Sequence, residues 1–256
     1  MNRQILKKKE LCGQIEYMDR KIITMLNRLN NISFENYRVA SRQIVMEETP
    51  GGRGDEQPSE GLSQDGESNL VVSEMIPHGV IDVEHDSIDW DILRREIELL
   101  NSAWPVILLD LHSLNIDGES ILAFSRELSI AIIHIRDEDK RNSLTSLATL
   151  YSYLPKFLEG IPGEDINRNK KQTKSYVINA YVLVEQENWE EITKYLAEAD
   201  RVFRDIISDV EFAKKNEFKI NKSFVLLKEL ESTIEFRDER LFYMQYRNFM
   251  QSLNVL

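Results

Sequence analysis

Apolar side chains recur along most of this chain at alternating spacings of four and three, the period of one face of an α-helix. The first run, Leu11, Ile15, Met18, Ile22, Met25 and Leu29, makes a single seam that Asn30 and Asn31 close. Residues 34–46 follow with Tyr37, Val39, Ile44 and Val45 in no clear period. From Ser87, a candidate N-cap with Asp89 and Asp91 in the first turn, the spacing predicts a long helix carrying Leu93, Ile97, Leu100, Trp104, Ile107, Leu111 and Leu114. Pro105 lies inside it, removes one backbone donor and crowds the carbonyl of Asn101, so a kink is expected there.

After a turn over residues 115–118, Ile121, Phe124, Leu128, Ile132 and Ile135 mark a second body helix, ended by Asp137-Glu138-Asp139. A third, capped by Asn142 or Ser143, carries Leu144, Leu147, Tyr151, Leu154, Leu158 and Ile161. It has a second expected kink at Pro155, and Gly160, Pro162 and Gly163 stop it. A fourth runs over about residues 165–187 and is apolar in its second half. Asn188 caps a fifth with Trp189, Ile192, Leu196, Ala199, Phe203, Ile206 and Val210. A sixth runs from near Asn216 to the end; its seam breaks near Arg237-Asp238, which allows two segments, the second presenting Phe242, Tyr246, Phe249 and Leu253. Loops this short make consecutive helices antiparallel neighbours.

Composition changes the picture mainly in one place. Of ten glycines and six prolines, five and two fall between Pro50 and Gly66, leaving the rest poor in chain breakers and favouring helices over a β-rich fold. Residues 47–69 hold seven acids, one base and a single aliphatic, Leu62, so they cannot bury enough surface to offset their conformational entropy. They account for half of the net charge of −12. The expected fold is all-α, a multi-helix bundle of about five or six body helices over residues 70–256. An N-terminal helical arm (1–46) joins it through a disordered acidic linker (47–69). Leu70-Val71-Val72 and Val80-Ile81-Asp82-Val83 are candidates for extended strips at the start of the body.

Candidate chemistry is sparse. The single cysteine, Cys12, excludes an internal disulfide and a cysteine zinc site. The excess of acids argues against nucleic acid as a partner. No apolar run is long enough for a membrane span, and none follows the basic start as in a secretory leader, so a cytoplasmic location is expected, or membrane attachment if an anchor precedes Met1. Gly-rich phosphate loops, nucleophile elbows, H-E-x-x-H and E-x-x-H are absent from the sequence, so no catalytic, cofactor or metal residues are assigned. His85, within Asp82-Val83-Glu84-His85-Asp86, offers oxygen ligands for a divalent cation, although a solvated helix entry explains the same acids. His112 and His134 are expected at the surface or hydrogen-bonded. Arg168, Lys170, Lys171 and Lys174 read as a solvated basic helix face, or as an anion site at a helix start. Phe242, Tyr243, Tyr246 and Phe249 exceed one buried face, which leaves Tyr243 as a possible partner contact. Arg53-Gly54-Asp55 matches an adhesion tripeptide, and chance in a Gly- and Asp-rich linker accounts for it.

Two resemblances add to this. Ala180, Leu183, Trp189 and Ala199 make the fourth and fifth helices similar to one degenerate tetratricopeptide hairpin, with no second copy at the repeat period. The stretch from Ile88 to Phe157 resembles uncharacterised helical proteins of anaerobic Gram-positive bacteria, some of them lipoprotein-like. The carrying segments are Leu99-Leu100-Asn101-Ser102-Ala103-Trp104, Leu108-Leu109-Asp110-Leu111 and Leu150-Tyr151-Ser152-Tyr153-Leu154-Pro155. That resemblance implies no activity.

The functional expectation is a non-catalytic scaffold or interaction protein acting through the arm, a bundle face or both. Its possible interaction surface is Leu11, Ile15, Met18, Ile22, Met25 and Leu29. That stripe must dock on its own body, pair with a second copy, or bind a partner. In a parallel pair Cys12 would report the contact by oxidation. Two alternatives remain: a membrane-surface role for residues 1–30, with seven bases against three acids, and a metal-binding or enzymatic role for the acids and histidine of residues 82–91.

Overall fold

Six of the nine α-helices among the described residues start at an acid or amide cap, and several end near a left-handed residue. Asp89, Asp117, Asp139, Asn188, Asp209 and Asp238 each accept backbone N–H groups from the first turn that follows, a cap worth about 1 kcal/mol. Asn31, Asn115, Glu138, Glu187 and Arg237 take positive φ, with Gly160 and Gly163 doing the same around Pro162. These residues turn the chain back on itself.

The computed structural model describes residues 2–32 and 88–256, with side chains from residue 6 in the first stretch. The expected linker, the strips at 70–72 and 80–83, and His85 with its acids through Asp86 lie outside the described residues. Among those described are α1 (Asn2–Leu29), α2 (Trp90–Ser113), α3 (Gly118–Arg136), α4 (Lys140–Tyr151), α5 (Leu154–Phe157), α6 (Asp165–Val182), α7 (Trp189–Ser208), α8 (Val210–Phe236) and α9 (Glu239–Val255), and no strand. The fold is an all-α multi-helix bundle. Successive helices pack as hairpins, α2 on α3, α3 on α4, α6 on α7 and α8 on α9. α1 lies against α2, α4 and α5. All six residues of its seam are fully buried, so α1 shares the core of the body.

Several boundaries differ from the periodicity. Asp89 and Asp139 are the caps, in place of Ser87 and of Asn142 or Ser143, because their carboxylates reach the Ile92 and Asn142 amides at 3.0 Å. Pro105 sits on the exposed side of α2, which continues through it, whereas the helix expected to run through Pro155 stops earlier, at Tyr151. Pro155 instead lies in the first turn of α5, where its missing N–H leaves nothing unpaired. The fourth helix ends at Val182, followed by a 3-10 turn over Val184–Gln186. Val210 does not belong to the α7 seam: Asp209 caps a new helix there, six residues before the expected start of α8. Arg237 makes the break between α8 and α9 complete. Tyr243 is buried, ring to ring with Tyr181 and Phe242, and offers no surface to a partner.

Trp104 is the centre of the α2–α3–α5 contact. Its ring lies 4.3 Å from Phe124 and 6.1 Å from Phe157 between centroids, and its Nε1 donates to Ser125 Oγ at 2.8 Å. Trp104→Ala should therefore lower unfolding free energy by about 3–5 kcal/mol. Val106→Ala, two residues on and exposed, should stay within about 0.5 kcal/mol. Urea unfolding followed by far-UV circular dichroism checks both, and equal losses would contradict this packing.

Candidate functional site: a buried charge cluster and an exposed aliphatic face

Two stripes on α1 are buried. Beside the seam, Asp19, Ile23, Leu26 and Asn30 repeat at four, three and four, and all four are buried. The same happens on α6, where Lys171, Lys174, Ile178 and Tyr181 form one buried line. The polar members of the two lines meet. Asp19, 3% exposed, accepts from Lys171 Nζ at 3.0 Å and Lys174 Nζ at 3.1 Å. The Tyr151 hydroxyl of α4 donates to the same carboxylate. Lys171 also reaches Glu16 at 2.7 Å, and Lys174 donates to Asn254 Oδ1 of α9 at 2.7 Å. The cluster thus ties α1, α4, α6 and α9 together with two acids and two bases. Lys171 and Lys174 are not part of a solvated basic face. Of that sequence cluster, Arg168 is paired with Asp165 at 3.3 Å and Lys170 is half-buried.

Burial by itself would raise the Asp19 carboxyl, but the ammonium groups of Lys174 and Lys171 and the Tyr151 hydroxyl outweigh it and hold Asp19 below the ordinary aspartate range. Burial pushes Lys174 down to about 8, the attraction of Asp19 offsetting only part of it and the like charge of Lys171 adding to it. Further along, Tyr181 stacks on Tyr246 at 4.4 Å and donates to the Leu26 carbonyl at 2.9 Å, and Asn30 Nδ2 donates to the Tyr243 hydroxyl at 3.2 Å. Gln14 donates to Asp110 at 2.7 Å, and Lys21 pairs with Glu96. Cavities of about 280 and 210 Å³ are lined by Trp189, Thr193 and Ile234, and by Arg141, Leu144 and Val182, with no member of the charge cluster in either. The cluster's partners are its own helices, and its chemistry is to fix the position of α1.

The sequence-assigned interaction stripe is therefore occupied by the chain's own body. Leu11, Ile15, Met18, Ile22, Met25 and Leu29 are each 0% exposed. Cys12 is half-buried, and burial together with Glu164 pushes its thiol up to about 11, a poor thiolate at neutral pH. His112 is exposed, and His134 Nδ1 lies 2.9 Å from Ser146 Oγ. Asp89 caps α2 and Asp91 pairs with Arg94 at 2.7 Å. Among the described residues no group of three or more His, Cys, Asp or Glu side chains is placed to hold a metal ion, and no helix is long and apolar enough to cross a membrane.

Periodicity did not point to a second feature, on the outer side of the α2–α3 hairpin. Leu99, Val106 and Leu109 on α2, and Leu122, Ile130 and Ile133 on α3, are exposed on the sides opposite the two buried seams. Ser102, Ser113 and Ser129 lie among them, and each hydroxyl donates to a carbonyl of its own helix at 2.8–3.1 Å. These serines need no water to be satisfied, so covering them forfeits little.

Asp19→Asn leaves buried Lys174 without a carboxylate and Lys171 with Glu16 alone, and should cost about 3–5 kcal/mol at pH 7. The folded-state pKa of Asp19 is lowered, so its contribution is fully present above the unfolded value of 3.8 and lost as pH falls through the folded one. Chemical denaturation should show the variant's deficit roughly constant from pH 7 down to about 5, then shrinking as pH falls through the unfolded value of 3.8 toward the folded one. A deficit independent of pH down to the acid limit would contradict the ion pairing.

The chain matches no family model, no curated protein and no solved structure.

Proposed function

We propose that this protein is a non-catalytic helical scaffold that binds a protein partner through the outer face of the α2–α3 hairpin. The observation that carries the reading is that face itself: six exposed large aliphatics with interspersed serines whose hydroxyls are already satisfied. The charges on and beside the face are of both signs, Arg95 and Glu98 on α2 and Glu119 and Arg126 on α3, all exposed. A protein surface can complement such a mixture, whereas a uniformly charged surface meets repulsion from half of it. The α1 stripe is not the binding surface in this reading, because a partner or membrane would first have to displace the body from it.

A photo-crosslinking residue placed at 109 or 122 in cells should give a protein adduct of the same added mass from both positions, and none from Glu229 on α8. The adduct should vanish when Val106→Glu and Ile133→Glu are introduced together, each at an exposed site and costing no more than about 0.5 kcal/mol. Adducts from neither position, or adducts indifferent to the two glutamates, would remove this reading.

A further inference from the structure

α8 starts before the core requires it. Its first fully buried residue is Ile220, and over the preceding ten residues only Phe212, Ala213 and Asn216 are even half-buried. Phe212 packs on the core and anchors the segment. At Asn216 the backbone leaves helical geometry (φ −124°, ψ 22°), and its Nδ2 donates to the Phe212 carbonyl at 3.1 Å. On either side of that kink stand Val210 and Phe218, each 80% exposed, the two most exposed large apolar side chains among the described residues. Around them are Lys214, Lys215, Lys219 and Lys222, all exposed. The acids at this end are Asp209, whose carboxylate is occupied capping the helix at the Phe212 amide, Glu211, which pairs with Lys215 at 2.6 Å, and Glu217. α6 adds a further cation, Lys170. Burial and the like charges of Lys171 and Lys219 depress it, with Glu16 and Asp19 compensating only in part. α9, antiparallel to α8, brings exposed Val255 back toward the same end.

An isolated phenyl ring stands in water here between lysines. It is well matched to a bilayer interface, where an aromatic or aliphatic group enters the headgroup–acyl boundary while lysine ammonium groups stay with the phosphates. The remaining charge of the chain is strongly negative, which turns this basic end toward an anionic surface and the rest away from it. We propose that the start of α8 docks on an anionic phospholipid bilayer, with Phe218 and Val210 inserted and Lys214, Lys215, Lys219 and Lys222 contacting lipid phosphates. This surface is distinct from α1, whose own apolar stripe is spent in the core, and independent of the protein-binding face of α2–α3.

The test is co-sedimentation of the full chain with vesicles of phosphatidylcholine alone and of phosphatidylcholine mixed with phosphatidylserine. Binding is expected to the mixed vesicles only and to weaken as salt is raised. Phe218→Asp, and Lys219→Glu combined with Lys222→Glu, should each weaken it about tenfold or more. Arg126→Glu on the α2–α3 face should leave it unchanged, and all variants should keep the wild-type thermal midpoint because the altered side chains are exposed. Three outcomes overturn the proposal: no sedimentation with the mixed vesicles, equal sedimentation with both kinds, or binding that the α8 variants leave intact.

Discussion

The structure depends on burying a helix that carries charge. α1 has apolar residues on two adjoining stripes, and water on either would be costly, yet Asp19 sits in the second of them. An isolated carboxylate there would not stay ionised. Two lysines and a tyrosine reach it from helices distant in sequence, and the pairing makes burial of the whole helix possible. The seam supplies the larger share of the drive, roughly 1.5–3 kcal/mol for each large side chain taken out of water. The charge cluster adds little net free energy by comparison and contributes register. Any slip of α1 along the bundle leaves Asp19, Lys171 and Lys174 unpaired, which is the costly alternative.

That arrangement decides what surfaces are left for function. With α1 inside, its stripe cannot serve a partner or a membrane while docked. The exposed apolar groups that remain are concentrated on other helices. Two groups of them differ in their polar company. On α2 and α3, aliphatics stand beside self-satisfied serines and charges of both signs. At the start of α8, Phe218 and Val210 stand among lysines. We propose two different kinds of partner for two surfaces of such different character.

Much of this was legible in the sequence, and the reasons are particular. Alternating four and three spacing located the seams of α1, α2 and α7, because a side chain facing the core must recur once per turn; in α3 the seam runs through Ala131 and leaves the expected Ile132 half-buried. Asn188 was recognisable as a cap, and Arg237-Asp238 as a break. The caps at Asp89 and Asp139 were missed because several capping residues stood within one turn, and only the positions of the amides select among them. Pro105 and Pro155 looked alike in sequence; one falls within a continuing helix and the other in the first turn of a new one. A visible trace of the buried cluster existed. Lys171 and Lys174 extend the line of Ile178 and Tyr181 at helical spacing, and Asp19 extends that of Ile23 and Leu26. Charged residues are usually solvated, so the periodicity was read as ending where the lysines begin.

By itself the sequence determined the all-α class, the seams and most of the helices, since local spacing and capping act within one or two turns. It also determined that the stripe of α1 could not remain in water. Which surface would cover that stripe was settled only by tertiary structure, because Asp19 finds its partners more than a hundred residues away, at Tyr151, Lys171 and Lys174. Tertiary structure likewise decided which apolar residues were left outside. Leu109 and Phe218 look no different from core residues in the chain, and only the packing of their neighbours puts them in solvent.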